Sequence, residues 1–261
     1  MKPQKIYQVD AFSNGLFTGN PAAVCILNEE WLPEGIMQKI AMENNLSETA
    51  FVLNTLENLQ IRWFTPTVEV DLCGHATLAS AHVLFTHEGF PGNTIRFGSR
   101  SGILTVTNEN ELLTLDFPTD ELKLALASEE LSQCFDLVPA EIWKGKTDYM
   151  FVFDREDQIV SIKPNMAAIE AVPARGIIIT APGNTVDFVS RFFGPQSGVP
   201  EDPVTGSAHT TLTPYWGRRL EKKVMSAMQL SPRKGWLHCR HAGARTFISG
   251  KAVTYMVGEL V

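Results

Sequence analysis

Three short segments of the chain carry side chains that can move a proton, or backbone that can hold an anion. The first is Asn45-Leu46-Ser47-Glu48-Thr49-Ala50-Phe51-Val52, where Glu48 is a lone carboxylate entering an apolar strand. A carboxyl shut away from water has a raised pKa and suits general acid/base work. In an open loop it would bond backbone or water instead, and the residues alone leave both readings open. The second segment is Cys73-Gly74-His75. His75 can relay or donate a proton, or it can be a structural histidine at a helix start. A thiol at a helix N-terminus can have a lowered pKa, which makes Cys73 a second candidate there. The third segment is Asp202-Pro203-Val204-Thr205-Gly206-Ser207. Pro203 holds Asp202 out of helical geometry, so Asp202 reads as a helix cap, a catalytic partner, or both. Glu201 reads as a rim charge.

Gly74 and Gly206 each open a small-residue helix. The first backbone N–H groups of a helix have no intrahelical partner, and the helix dipole favours an anion beside them. Two such starts, Gly74-His75 and Gly206-Ser207, facing each other across two halves of the molecule, would hold a carboxylate without Arg or Lys. The alternative is that both glycines merely permit tight packing.

Two-thiol racemisation needs a cysteine on each face of a carbon. Val204-Thr205-Gly206 has none where Cys73-Gly74 has one, so Cys73 is expected to be structural. His82 is expected to pack in the core two turns below His75, and His209 is the weakest functional candidate among these histidines. His238, Cys239 and His241 suggest a metal site, but strand alternation would point neighbours to opposite faces.

The elements that must position these residues follow from periodicity. Ile6–Phe12, Ala22–Leu27, Thr49–Leu53 and Gln60–Phe64 read as strands, with a helix from Leu32-Pro33-Glu34-Gly35 to Asn44-Asn45. Residues 73–85 are helix-length and small or apolar almost all round, so this helix is expected to be buried on most sides. Strands follow at Asn93–Phe97, Ile103–Thr107 and Leu112–Phe117, and Pro118 marks a boundary between halves 1–118 and 119–261.

The second half repeats the plan. Tyr149–Phe153, Gly176–Thr180 and Val186–Phe193 read as strands, with a helix near Asn165–Ala171 and final strands to Glu259. Phe64-Thr65-Pro66, an acidic loop and Gly74-His75-Ala76 match Phe193-Gly194-Pro195, an acidic loop and Gly206-Ser207-Ala208. Pro214 is expected to kink the second small-residue helix or end it early.

The bulk composition excludes several classes. The chain has 261 residues, 44% hydrophobic and 20% charged, which is a globular balance with no disordered tract. A net charge of -7 argues against a nucleic-acid partner. No apolar run is long enough to span a bilayer, and Met1-Lys2-Pro3-Gln4-Lys5 lacks the apolar segment of a secretory signal. The four scattered cysteines fit reduced thiols, so a cytoplasmic protein is expected.

Together the motifs resemble the phenazine-biosynthesis PhzF-like isomerase family. The segments that carry the resemblance are Gly19-Asn20-Pro21-Ala22-Ala23-Val24, Asn45–Phe51, Arg62-Trp63-Phe64-Thr65-Pro66, Asp71-Leu72-Cys73-Gly74-His75-Ala76-Thr77 and Glu201–His209. The resemblance implies an α+β, diaminopimelate epimerase-like fold: two pseudo-repeated halves, each a curved, mostly antiparallel sheet around a central helix, with the site between them. It also implies that Glu48 moves a proton between substrate carbons and that His75, Asp202 and Ser207 line the site. The Gly74 and Gly206 helix starts would hold a substrate carboxylate. Members work without metal or organic cofactor and are commonly homodimers. The expected activity is cofactor-independent isomerisation of a small carboxylate. An amino-acid epimerase or racemase, and a catalytically silent binding protein of the same fold, are the rivals.

Overall fold

A computed structural model describes residues 4–55 and 59–261; the first three residues of the N-terminal stretch read above lie outside them. The strands are β1 (Gln4–Ala11), β2 (Asn20–Leu27), β3 (Glu48–Asn54), β4 (Leu59–Phe64), β5 (Glu69–Val70), β6 (Thr94–Ser99), β7 (Gly102–Glu109) and β8 (Leu112–Pro118). They continue with β9 (Lys123–Leu124), β10 (Glu141–Lys144), β11 (Asp148–Val152), β12 (Gly176–Pro182), β13 (Phe188–Gly194) and β14 (Val199–Asp202). The last four are β15 (Val224–Gln229), β16 (Gly235–Ala242), β17 (Arg245–Gly250) and β18 (Ala252–Leu260). The helices are α1 (Glu34–Asn44), α2 (Gly74–Thr86), α3 (Glu129–Ser132), α4 (Glu156–Ser161), α5 (Met166–Ala171) and α6 (Ala208–Arg219).

Two compact units result, Met1–Asp116 with Ser249–Val261, and Phe117–Ile248. This corrects the expected halves 1–118 and 119–261. Strand β18 does not stay with the second half but pairs antiparallel with β1, from Gln4↔Leu260 to Ala11↔Ala252.

Within each unit the strand senses follow one plan. In the first, β1 is antiparallel to β2, β2 parallel to β3, β3 antiparallel to β4, β4 parallel to β6 and β6 antiparallel to β7. Short β5 pairs antiparallel with β4. In the second, β10, β11, β12, β13, β15 and β16 run through the same senses in the same order, and short β14 pairs antiparallel with β13. Each parallel pair is bridged by helix: α1 between β2 and β3, α2 between β4 and β6, α4 with α5 between β11 and β12, and α6 between β13 and β15. The sequence-level repeat is therefore a repeat of topology.

Each unit has its own core. In the first, α2 lies against β1, β2, β3 and β18, and ten of its thirteen residues are buried, which is what its small and apolar composition requires. Ala23, Cys25, Met37, Phe51 and Phe64 form a second layer between the sheet and α1. In the second unit, Phe151, Ile177, Ile179, Val189 and Phe193 pack against α4 and α5, while α6 lies against β15 and β16. The run Gly176-Ile177-Ile178-Ile179-Thr180 is buried throughout, as expected of a strand covered on both faces.

Pro214 does not end α6 early: the helix runs on to Arg219. Proline cannot donate to the carbonyl four residues back, but the Thr210 carbonyl accepts from the Asp120 N–H at 3.2 Å instead. No helix among the described residues is long and apolar enough to cross a membrane.

Candidate active site

The first unit assembles one cluster from three element starts. Asn20 is the first residue of β2, Glu48 the first of β3, and His75 the second of α2. The turn before β2 depends on Gly19, whose φ of +72° and 2.3 Å gap between a would-be Cβ and the Ala11 carbonyl oxygen exclude any side chain. Asn20 is buried, and its Nδ2 lies 3.1 Å from His75 Nδ1. An amide nitrogen can only donate, so Nδ1 accepts and the ring proton sits on Nε2. Burial pushes the His75 pKa down to about 3, so the ring is neutral at physiological pH.

His75 Nε2 lies 3.2 Å from Glu48 Oε2. The approach is off the N–H axis, and Nε2 makes no hydrogen bond among the described residues. A buried donor left in this state costs about 1–3 kcal/mol, which a substrate oxygen would offset. Cys73 Sγ meets the other ring nitrogen, Nδ1, at 3.5 Å. Cys73 is buried, and it touches the histidine rather than only filling space. Donor atoms of Glu48, Cys73 and His75 all lie within 4.8 Å of one another, as three metal ligands might. The thiol sits nearest Nδ1 and the carboxylate nearest Nε2. At the end of β4, beside this cluster's elements, Arg62 is tied to Glu69 on β5 at 2.7 Å.

The second unit builds a corresponding cluster. Asp202 is the last residue of β14 and not a helix cap; the residue preceding α6 is Ser207. Asp202 Oδ2 accepts from the Thr205 hydroxyl at 2.5 Å, and its backbone carbonyl accepts from Gln229 Nε2 at 2.7 Å and Ser231 Oγ at 3.0 Å. Gln229 Oε1 also accepts from the Thr205 N–H at 2.9 Å. The loop into α6 is thus fixed by polar bonds, with Gly206 buried and Ser207 half-buried. Glu201 is not a rim charge: it holds Arg191 through two bonds, at 2.7 and 2.9 Å, with both side chains mostly covered. The pair repeats Arg62–Glu69 in the same place of the plan.

Neither Gly74 nor Gly206 is among the positive-φ glycines. A left-handed backbone is therefore not what glycine supplies at these helix starts. His82 is half-buried and bonds the Thr254 hydroxyl at 2.9 Å, so it is no core residue. His209 is fully buried, with Nδ1 2.9 Å from the Thr205 carbonyl and its pKa pushed down by burial to about 4. His238 is exposed while Cys239 is buried, the alternation that separates them.

A family model described as phenazine biosynthesis-like protein matches residues 9–258. The chain belongs to that family. An uncharacterized isomerase of Pseudomonas aeruginosa is 49% identical over 255 residues, covering 98% of each chain. A crystal structure of a PhzF family phenazine biosynthesis protein from Enterococcus faecalis superposes with a TM-score of 0.96 at 45% identity, covering 99% of both chains. The fold extends further: a probable proline racemase from Agrobacterium radiobacter matches with a TM-score of 0.69 at 9% identity. The α+β, epimerase-like architecture and membership in a family of isomerases are thereby established.

Two residues of these clusters escape a reading by motif. Asn20 lies inside a family segment but carries no charge to draw notice. Arg175 precedes the apolar run of β12, and donates to Ser207 Oγ at 2.8 Å. It lies one residue before the place in the plan that matches Glu48, since Thr49 faces Phe64 as Ile177 faces Phe193.

Proposed function

We propose that this protein is a cofactor-independent isomerase that shifts a proton on a small carboxylate substrate by general acid/base catalysis. The observation that carries the reading is the contact between Glu48 and a neutral, Asn20-held His75 whose Nε2–H has no hydrogen-bond acceptor among the described residues. Glu48 removes a proton from an acidic substrate C–H and returns one at another carbon. The His75 Nε2–H donates to the substrate oxygen on which charge develops. The Gly74-His75 amides at the start of α2 and the Gly206-Ser207 amides before α6 hold carboxylate oxygens, with Ser207 Oγ donating. Asp202 fixes Thr205 and the loop that presents Ser207, a positioning role.

The test is solvent-deuterium incorporation into a substrate found by screening small aromatic and cyclic acids. Glu48→Gln should lower the exchange rate by about 10²- to 10⁴-fold, the usual worth of a positioned base. An unchanged rate would remove Glu48 from the mechanism. The epimerase alternative has a hydroxyl, Thr205, where a second thiol would stand, and that hydroxyl is already given to Asp202. Absence of α-proton exchange in L- and D-amino acids would dismiss it.

A further inference from the structure

The shared strand plan puts Arg175 one residue before the place that matches Glu48: Thr49 faces Phe64 as Ile177 faces Phe193, so Glu48 corresponds to Gly176. Glu48 stands at the start of β3, the parallel partner of β2, whose first residue is Asn20. Arg175 stands immediately before β12, the parallel partner of β11, whose first residue is Asp148. Each side chain reaches the start of the small-residue helix of its own unit: Glu48 to His75 at 3.2 Å, Arg175 to Ser207 at 2.8 Å. In each, the residue opening the neighbouring strand anchors the arrangement. Asn20 holds His75, and Asp148 holds Arg175. Neighbouring positions of the repeated scaffold thus carry an acid in one unit and a permanent cation in the other.

Arg175 is also less covered than the carboxylate that holds it. Asp148 is 2% exposed at its side chain, whereas that of Arg175 is 36% exposed. Asp148 takes Nε at 2.9 Å and Nη2 through a still shorter bond, the bidentate form that fixes a guanidinium plane. The guanidinium lies 5.3 Å over the Phe192 ring. Three of its five N–H groups serve Asp148 and Ser207, and the other two have no acceptor among the described residues. Because Ser207 Oγ accepts from Arg175, its own proton is left to donate elsewhere. Burial works to lower the Arg175 pKa, but the bonds to Asp148 and the charges of Asp148, Asp202 and Asp120 hold it raised.

We propose that Arg175, clamped by Asp148 and bonded to Ser207, is the residue that selects an anionic substrate group over its neutral isostere. This rests on the reading of the site as one for carboxylates, and adds a cation to what had seemed a purely backbone-built anion site. Without Arg175 the local charges are Asp148, Asp202 and Asp120, offset in part by Lys144 beside Asp148 and Asp120. Losing it should therefore remove the preference for the anion and not merely weaken binding.

The experiment measures binding of benzoate and of benzamide, its neutral isostere, by calorimetry. The wild-type chain should prefer benzoate by at least about tenfold, within the range of one well-made charged hydrogen bond. Arg175→Gln leaves a buried carboxylate unpaired and could fail to fold, so the deciding variant is Asp148→Asn/Arg175→Gln, which neutralises both. It should bind benzamide as well as or better than benzoate. Ser207→Ala should weaken benzoate yet keep the preference for the anion. Wild type without preference, or a double variant that retains it, would overturn the assignment. Glu48→Gln separates the two hypotheses: it should lower deuterium exchange by the same factor of about 10² to 10⁴ and leave the benzoate preference standing. Exchange unchanged by Glu48→Gln, with a preference that still depends on Arg175, would refute the base and not the anion anchor.

Discussion

At the scale of single residues, the tautomer of His75 is the most consequential detail. Asn20 can only donate to Nδ1, and this puts the remaining ring proton on Nε2, the nitrogen nearest Glu48. Asn20→Asp offers a carboxylate instead, which demands a proton on Nδ1 and turns the Nε2 lone pair on Glu48. Exchange should fall on the order of 10²-fold or more, the range of a general acid/base contribution. Asn20→Asp that keeps full activity would show that the tautomer does not matter. The histidines also set a pH dependence. Burial holds His75 at about 3 and His82 and His209 at about 4, below the ordinary 6.5. These depressed values mean that the unfolded chain binds protons the folded chain refuses. Their contribution is complete above pH 6.5 and is lost as pH falls from there toward 4. Urea unfolding across pH 7 to 5 should show stability dropping with a slope approaching about three protons. A flat profile would mean that these rings titrate normally.

At the scale of elements, the site depends on how strands begin. Gly19 turns the chain so that β2 opens on Asn20, and the backbone contact at Ala11 leaves no room for a methyl. Gly19→Ala should cost about 1–3 kcal/mol through forced backbone strain, and should lower activity with it because Asn20 moves. Chemical denaturation and the exchange assay together check this; unchanged stability would contradict the strained turn. The repeated Arg–Glu pairs are element-scale devices as well. Arg191 on β13 binds Glu201 on β14 and also donates to the Ile159 and Ile162 carbonyls at the end of α4. Removing only Arg191 strands a mostly covered carboxylate, so Arg191→Met should destabilise by about 3 kcal/mol. Arg191→Met/Glu201→Leu should recover much of that loss. A double variant as unstable as the single one would place the cost in the carbonyl bonds to α4.

At the scale of the whole molecule, the chain closes on itself. Strand β18 returns to β1, pairing Ile6 with Gly258, so the first unit cannot be completed until nearly the last residues are available. A chain ending at Lys251 would leave the β1 edge bare, a template for aggregation. It should therefore express with markedly less soluble, cooperatively unfolding protein than the full chain, as circular dichroism and centrifugation would report. Soluble, fully folded truncated protein would show that β18 is dispensable.

The sequence by itself determined the local elements and most of their order. Alternation and helical spacing depend only on neighbours along the chain, so β2, β3, α1 and the buried α2 were legible, as was the duplication carried by Phe64-Thr65-Pro66 and Phe193-Gly194-Pro195. The family motifs named Glu48, His75 and Ser207, because acids, histidines and glycine-led helix starts are conspicuous residue types. Tertiary structure decided what depends on partners far apart in sequence. It gave β18 to the first unit, carried α6 past Pro214 through the Asp120 N–H, and turned Glu201 from a supposed surface charge into half of an ion pair. It also decided the fate of the three segments that can do chemistry. Glu48 meets His75 through ring-orienting Asn20, a residue with no charge to betray it, and Ser207 meets Arg175 because two distant strands start side by side. The physical reason is common to all of these. Which atom accepts a given proton is fixed by distances of about 3 Å, and residues far apart in sequence reach such distances only once the sheet has formed.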